Sequence, residues 1–167
     1  MNVLIKAAKI LDASSPHHNT IQDIYIADGV IKKIGKTLSY PDAKQLSFKD
    51  LHISQGWFDS SVSFGEPGYE ERETLANGLR TAALSGFTAI ALEPETRPTI
   101  DSQSAVVQLK NYHSEHPTII YPVAAFTKEQ AGSLMTEFYD LQNNGAIAFG
   151  DFLRPVENPE LLKTAML

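Results

Sequence analysis

The sequence predicts an α/β protein whose main part is a parallel sheet, preceded by a smaller segment made of strands. Three observations lead there. After residue 52, strand-like and helix-like segments alternate. The strand-like runs in that part are largely apolar, as suits strands covered on both faces. Before residue 53 the pattern is instead short β-branched runs separated by turn signals.

The first part contributes three strands, at residues 3–12, 21–28 and 30–35, where VLIKAAKILD, IQDIYIAD and VIKKIG partly alternate apolar with polar residues. Asp28-Gly29 joins the last two as a hairpin turn, because glycine accepts the positive φ such turns demand. Residues 14–19 read as a loop and Tyr40-Pro41-Asp42 as a break. In the second part, GWFDSSVSF (56–64) is a strand followed by the loop Gly65-Glu66-Pro67-Gly68. A helix over Glu70 to Ser85 carries Leu75, Leu79, Ala82 and Ala83 at helical spacing and stops at Gly86. Residues 87–92 form the next strand, with Pro94 and Pro98 bracketing its loop. Asp101 or Ser102 caps a helix running to about Tyr112. A third strand at 118–124 and a third helix at 134–143, stopped by Gly145, come next. A fourth strand at 146–150 precedes a fourth helix that starts at Asn158.

Units of this kind build either an open doubly wound sheet or a barrel, and both put chemistry at the C-terminal ends of the strands. Those ends are residues 61–67, 93–97, 125–128 and 151–154. A closed eight-unit barrel takes roughly 250 residues, whereas about 115 follow residue 52, so the chain holds at most half of one.

Composition narrows the function classes. Of 167 residues, 43% are hydrophobic and 20% charged, enough apolar material for a core. The formal net charge is −6 and the 14 lysines and arginines are scattered, which argues against nucleic acid or an anionic membrane surface as partner. No apolar run approaches the ~20 residues of a membrane span. The first residues lack the pattern of a signal peptide. A cytoplasmic protein is the expectation. Cysteine is absent, which removes disulfides, thiolate metal sites and a cysteine nucleophile together.

The strand-end loops carry a more specific pattern. QGWFDSSVSFGEPGYEERET (55–74) resembles the first barrel strand of dihydroorotases in the cyclic amidohydrolase superfamily. The family form there is roughly P-G-[FL]-[IV]-D-x-H-x-H-x-R-E-P-G, with a helix-opening E-T soon after. Gly56, Asp59, Glu66, Pro67, Gly68, Glu73 and Thr74 match in register. SGFTAIALEPETRPTID (85–101) is similar to the family's G-G-F-T segment and P-N-T loop. YPVAAFTK (121–128) and GAIAFGDFLRPV (145–156) are similar to the next two strands, the latter to A-F-S-D-D-G-x-P-V. By this resemblance the fold is the N-terminal part of a TIM (β/α)8 barrel, about four βα units long and incomplete. Strands of a small β-sandwich precede it. Residues 1–52 are then the sandwich segment and 53–167 the first half of the barrel.

The same resemblance locates the active-site positions, and there the residues differ. Ser61 and Ser63 stand where the family has the two metal-binding histidines of H-x-H. Two residues apart on a strand, both face the same way, but a neutral hydroxyl is a poor zinc ligand beside imidazole or carboxylate. Gly65 replaces the family arginine that grips the substrate carboxylate, and Glu95 replaces the asparagine of P-N-T. Glu93 and Glu95 together would repel an anionic substrate. Asp151 keeps the first acid of D-D-G, while Phe152 and Leu153 replace the other two residues. No catalytic or substrate-binding residue is therefore assigned with Asp151, Gly65 or Glu95, and no metal is expected at Ser61 and Ser63.

Other candidates have plainer readings. A serine nucleophile at 61 or 63 lacks a paired base, since His113 and His116 fall near the end of a helix. Asp59, Glu66, Glu93, Glu95 and Asp151 would hold a hard cation such as Mg²⁺ only if they converged. Adjacent His17 and His18 point apart in a loop. Arg97 reads as a replacement for the lost arginine or as an ion-pair partner of Glu95. His52 and Trp57 read as packing residues, and Phe64, Tyr69, Phe87, Phe126, Phe138, Phe149 and Phe152 as core, with Phe152 placed to fill a vacated pocket.

The sequence thus leads to a dihydroorotase-like protein of pyrimidine biosynthesis, without catalysis and with a structural or regulatory role. The resemblance implies assembly with aspartate carbamoyltransferase. The alternative is an active dihydroorotase, or a related cyclic amidohydrolase cleaving a C–N amide bond, with a displaced metal site. Zinc belongs only to that alternative; otherwise no cofactor is expected. A third reading is a ligand-binding module that uses the rearranged pocket. Open strand edges point to a fragment of a longer product, cut near Leu167, or to a chain that completes itself as a homo-oligomer.

Overall fold

The computed structural model describes residues 1–112 and 116–166, so His113 lies outside the described residues. The chain divides into two compact units, Met1–Gln55 and Gly56–Leu167.

The first unit is a sheet. Strands β1 (Val3–Leu11), β2 (Ile21–Ala27) and β3 (Val30–Gly35) are antiparallel neighbours in the order β3-β2-β1. Two three-residue strands, β4 (Lys44–Leu46) and β5 (His52–Ser54), run parallel to β1, against Val3–Ile5 and Lys9–Leu11 respectively. The sequence did not announce them, because three residues are too few for period-two alternation to stand out. Asp28 and Gly29 make the expected turn with φ of 54° and 72°. A bulge in β1 lifts Ala7 to a φ of 52°. Its amide donates to the buried Asp23 carboxylate at 2.8 Å, and the Leu38 amide does so at 2.9 Å. Lys6 forms an ion pair with the same group. Burial pushes the Asp23 carboxyl up, but these partners outweigh it and leave it below the usual carboxylate range.

The second unit repeats strand and helix. In order it comprises β6 (Trp57–Val62), α1 (Leu75–Leu84), β7 (Phe87–Leu92), α2 (Gln103–Lys110) and β8 (Ile119–Ala124). A 3-10 turn (Lys128–Gln130), α3 (Phe138–Asn144), β9 (Ala148–Phe149) and α4 (Pro159–Ala165) complete it. The strands are parallel and lie in chain order, β6-β7-β8-β9. A doubly wound sheet reverses direction at a switch point, whereas a barrel adds each strand on the same side. The order observed is that of a barrel, and the chain forms a curled half of one. Ile90 and Leu92 of β7, Ile120 of β8, Leu79 of α1, Val106 and Leu109 of α2 and Leu141 of α3 form its buried core. Each contributes about 1.5–3 kcal/mol relative to exposure.

Several boundaries shift for local reasons. Helix α1 starts at Leu75 rather than Glu70, because Thr74 takes the N-cap and its hydroxyl accepts from the Asn77 amide at 3.3 Å. Helix α2 is capped by Ser102 and ends at Lys110. Helix α3 starts at Phe138 rather than Leu134. The backbone before it is taken by other bonds, Lys128 N–H to Leu134 C=O at 2.8 Å and Thr136 N–H to Phe126 C=O at 3.1 Å. Trp57 is 62% exposed, although its ring meets Phe87 edge to face at 6.0 Å between centroids, and His52 is also exposed, so neither belongs to the buried core. Among the aromatic residues expected in the core, Phe64 and Phe126 are buried. Tyr69, Phe87, Phe138, Phe149 and Phe152 are half-buried.

Candidate functional site

The C-terminal ends of β6 and β7 meet through two side-chain pairs. Ser61 Oγ donates to Glu93 Oε1 at 3.0 Å, and Ser63 Oγ donates to Glu95 Oε2 at 3.2 Å. Ser61 lies at the end of β6, while Ser63, Glu93 and Glu95 follow just past the ends of β6 and β7, so each serine meets the glutamate 32 residues further on. The Glu93 amide donates to the Val62 carbonyl at 2.8 Å, which fixes the register. Burial pushes the Glu93 carboxyl above its ordinary value, against the smaller opposing effect of the Ser61 hydroxyl.

Arg72 completes the second pair. Its guanidinium donates to Glu95 Oε2 through both terminal nitrogens at 3.1 Å, and to Ser63 Oγ at 2.8 Å. The ion-pair partner of Glu95 is therefore Arg72 and not Arg97, which corrects the sequence reading. Neighbouring position in the chain suggested Arg97; the turn over residues 65–72 brings Arg72 back over the strand end instead. The Tyr69 amide donates to Gly65 C=O at 3.0 Å and the Arg72 amide to Tyr69 C=O at 2.9 Å within that turn.

Gly65 is held where no side chain fits. Its φ is +114°, and a Cβ would lie 2.7 Å from the Tyr69 carbonyl oxygen. Gly68 has a similar constraint: at φ +98°, its Cβ would lie 2.2 Å from the Arg97 carbonyl oxygen. That close approach joins the first loop to the second, where the Arg97 amide donates to Pro67 C=O at 2.8 Å.

The remaining acids are dispersed. Asp59 accepts from the Ser61 amide at 3.2 Å. Glu66 accepts from the Leu75 amide at 2.6 Å, at the start of α1 where a carboxylate is favoured. Asp151 is buried and accepts from the Thr127 amide at 2.9 Å and from the Thr127 hydroxyl. That hydroxyl in turn accepts from the Gly132 amide at 2.8 Å. Asp151 is thus engaged in fastening the loop after β8 to the end of β9. Phe152 beside it has a φ of 52° and is half-buried.

Among the described residues, no group of three histidine, aspartate or glutamate side chains converges as a metal site. The hard-cation arrangement considered from the sequence does not form, because its five acids serve different local bonds. The donor set does not fit zinc either. Two serine hydroxyls already committed to glutamates replace imidazoles, and none of the described histidines (17, 18, 52 and 116) falls at a C-terminal strand end of the second unit. His18 instead bonds to Asn19 at 3.0 Å in its loop.

Beside these pairs lies a cleft of about 850 Å³ to which all four strand-end loops contribute, among them Tyr69, Arg97, Gln130 and Arg154. Sequence reading missed Arg72 and Gln130, and it covered Thr127 and Arg154 only as members of the strand-end segments 125–128 and 151–154. The one signal for Arg72 was a basic residue in the same loop as the lost arginine; the other three depend on how distant loops meet.

A half-barrel of parallel βα units added in chain order has the architecture of part of a TIM (β/α)8 barrel. Solved structures agree. The chain superposes on an L-hydantoinase from Arthrobacter aurescens with a TM-score of 0.67 at 18% identity, covering 88% of this chain and 32% of that one. It superposes on a dihydroorotase with a TM-score of 0.59 at 15% identity, over 89% and 41%. At the sequence level, the dihydro-orotase-like family model matches residues 52–166. The chain belongs to that family. It is 34% identical to dihydroorotases of Citrifermentans bemidjiense and Syntrophus aciditrophicus, in both cases over 99% of this chain and 39% of the relative. It spans about two-fifths of the length of these curated relatives.

Proposed function

We propose that this chain serves pyrimidine biosynthesis as a dihydroorotase-like protein without hydrolytic activity, in a structural or regulatory role. The observation that carries the reading is the pairing of Ser61 with Glu93 and of Ser63 with Glu95 and Arg72. A hydrolytic metal centre needs imidazole or carboxylate ligands free to converge on one ion. Here hydroxyls stand at the metal positions and the adjacent carboxylates are engaged with them and with an arginine. Gly65 adds to this, since the backbone there has no room for the side chain that would grip a substrate carboxylate.

The proposed partner is aspartate carbamoyltransferase, the assembly that the family resemblance suggests. Self-association is also proposed, supported by exposed Phe58, Ile119 and Tyr121 on this sheet. A cytoplasmic location is proposed; among the described residues, no helix is long and apolar enough to cross a membrane.

The test is dihydroorotase turnover with and without added zinc, with metal analysis of the same sample. The expected result is no turnover and no stoichiometric metal. Ring opening or closure by a metal-loaded sample would overturn the proposal in favour of an active amidohydrolase with a displaced site. Co-elution with aspartate carbamoyltransferase at micromolar concentration tests the partner; separate elution would remove it.

A further inference from the structure

We infer that Arg72 is the resident cation of the strand ends: its guanidinium stands in for a metal ion, neutralising Glu95 and holding Ser63 in place. The inference rests on the non-hydrolytic reading above and adds what keeps these strand ends both ordered and closed to metal. The donors there do not fit zinc, and a side chain of the same loop supplies the positive charge instead.

The contacts of Arg72 converge on two positions where the residues differ from the family pattern. Both terminal nitrogens donate to Glu95 Oε2 at 3.1 Å, and one of them also donates to Ser63 Oγ at 2.8 Å. The Ser63 hydroxyl donates in turn to the same Glu95 oxygen at 3.2 Å, so the three side chains close a triangle. A cation set between a carboxylate and a hydroxyl is what a hard metal ion would make of these oxygens. Arginine does not lose its charge by deprotonation, so the balance holds without metal. A divalent ion entering beside it would meet like charge at close range.

The backbone is arranged to deliver this residue. Gly65 is buried, and a Cβ on it would lie 2.7 Å from the Tyr69 carbonyl oxygen and 3.4 Å from the Arg72 Cβ. A side chain at 65 would therefore push away the turn that carries Arg72. The glycine that leaves the substrate-gripping position empty is thus also what lets the arginine reach Glu95. The turn is fastened on both sides. The Arg97 amide donates to Pro67 C=O at 2.8 Å, and the Leu75 amide donates to Glu66 at 2.6 Å. An exposed ion pair ordinarily contributes little, because two long side chains must be ordered to make it. Here the turn pre-orders the arginine, and the Glu95 side chain is only 29% exposed.

The experiment is thermal melting of the chain and its variants in EDTA and in millimolar manganese(II), a divalent ion that accepts oxygen ligands. The parent should melt at the same temperature in both. Arg72→Gln keeps a polar head without the charge; it should melt about 2–4 °C lower in EDTA and recover most of that loss in manganese(II). Arg72→Lys retains the charge, so it should stay nearer the parent and not respond to the metal. Adding Glu95→Gln to Arg72→Gln removes the acid left uncompensated and should abolish the manganese response. An arginine that only packs would lower the melting temperature in Arg72→Gln with no response to manganese(II), and that result would overturn the inference. So would Arg72→Gln melting with the parent in EDTA. Either result with a metal-free parent overturns this inference alone, whereas stoichiometric metal in the parent overturns the non-hydrolytic reading along with it.

Discussion

Asp151 offers the sharpest test of what the strand ends do. In Asp151→Ala, the Thr127 amide and hydroxyl lose their acceptors together at a position that is fully buried. A buried donor left without a partner costs about 1–3 kcal/mol, which sets a span of about 2–6 kcal/mol for the two. The hydroxyl can turn, although it already accepts from the Gly132 amide, so a loss near 3 kcal/mol is expected. Asp151→Asn keeps one acceptor oxygen for the amide and should cost about 1 kcal/mol. For a chain of this size the alanine variant should melt on the order of 10 °C lower. Urea denaturation followed by circular dichroism measures both variants. Combined with Thr127→Val in a double-mutant cycle, the pair should couple by at least about 1 kcal/mol. An alanine variant within about 0.5 kcal/mol of the parent would refute the fastening role. Metal bound by the parent and lost from Asp151→Ala would refute it in the other direction.

Two further outcomes are expected. In Gly78→Ala, the new methyl would sit 2.5 Å from the Phe64 ring; overpacking costs about 1–3 kcal/mol and outweighs the ~1 kcal/mol gain in helix propensity. Phe64→Leu in the same chain should recover part of the loss, and a stabilised single variant in urea denaturation would contradict this packing. Glu93→Gln should change stability in a pH-dependent way. Because burial raises the folded carboxyl, its favourable protonated form prevails at acid pH and stability falls as pH rises through the folded value. The glutamine variant should therefore match the parent near pH 4 and be more stable at pH 7; an equal difference at both would count against the burial effect.

The sequence was most informative where one residue settles a local structure. Ser102 and Asn158 cap the helices they were expected to start, and Gly145 ends α3 in the left-handed region with a φ of 118°. Strand β7 falls at Phe87–Leu92 as its apolar run indicated. Legibility failed where non-local bonds compete with a local pattern. Leu134 has helical spacing with the residues after it, but its carbonyl is taken by Lys128 across the turn.

The same division holds at the site. The sequence by itself determined which donors are present: serines at 61 and 63, glutamates at 93 and 95, and no cysteine anywhere. Donor type is a property of the residue, so the chemistry those positions lack was readable without coordinates. Only the tertiary structure decided the pairing. It gave Glu95 to Arg72 rather than Arg97, turned Asp151 onto Thr127, and left Gln130 without a partner on the wall of the cleft. These contacts join the loops of different strands, and their geometry is set by sheet register and turn conformation rather than by separation along the chain.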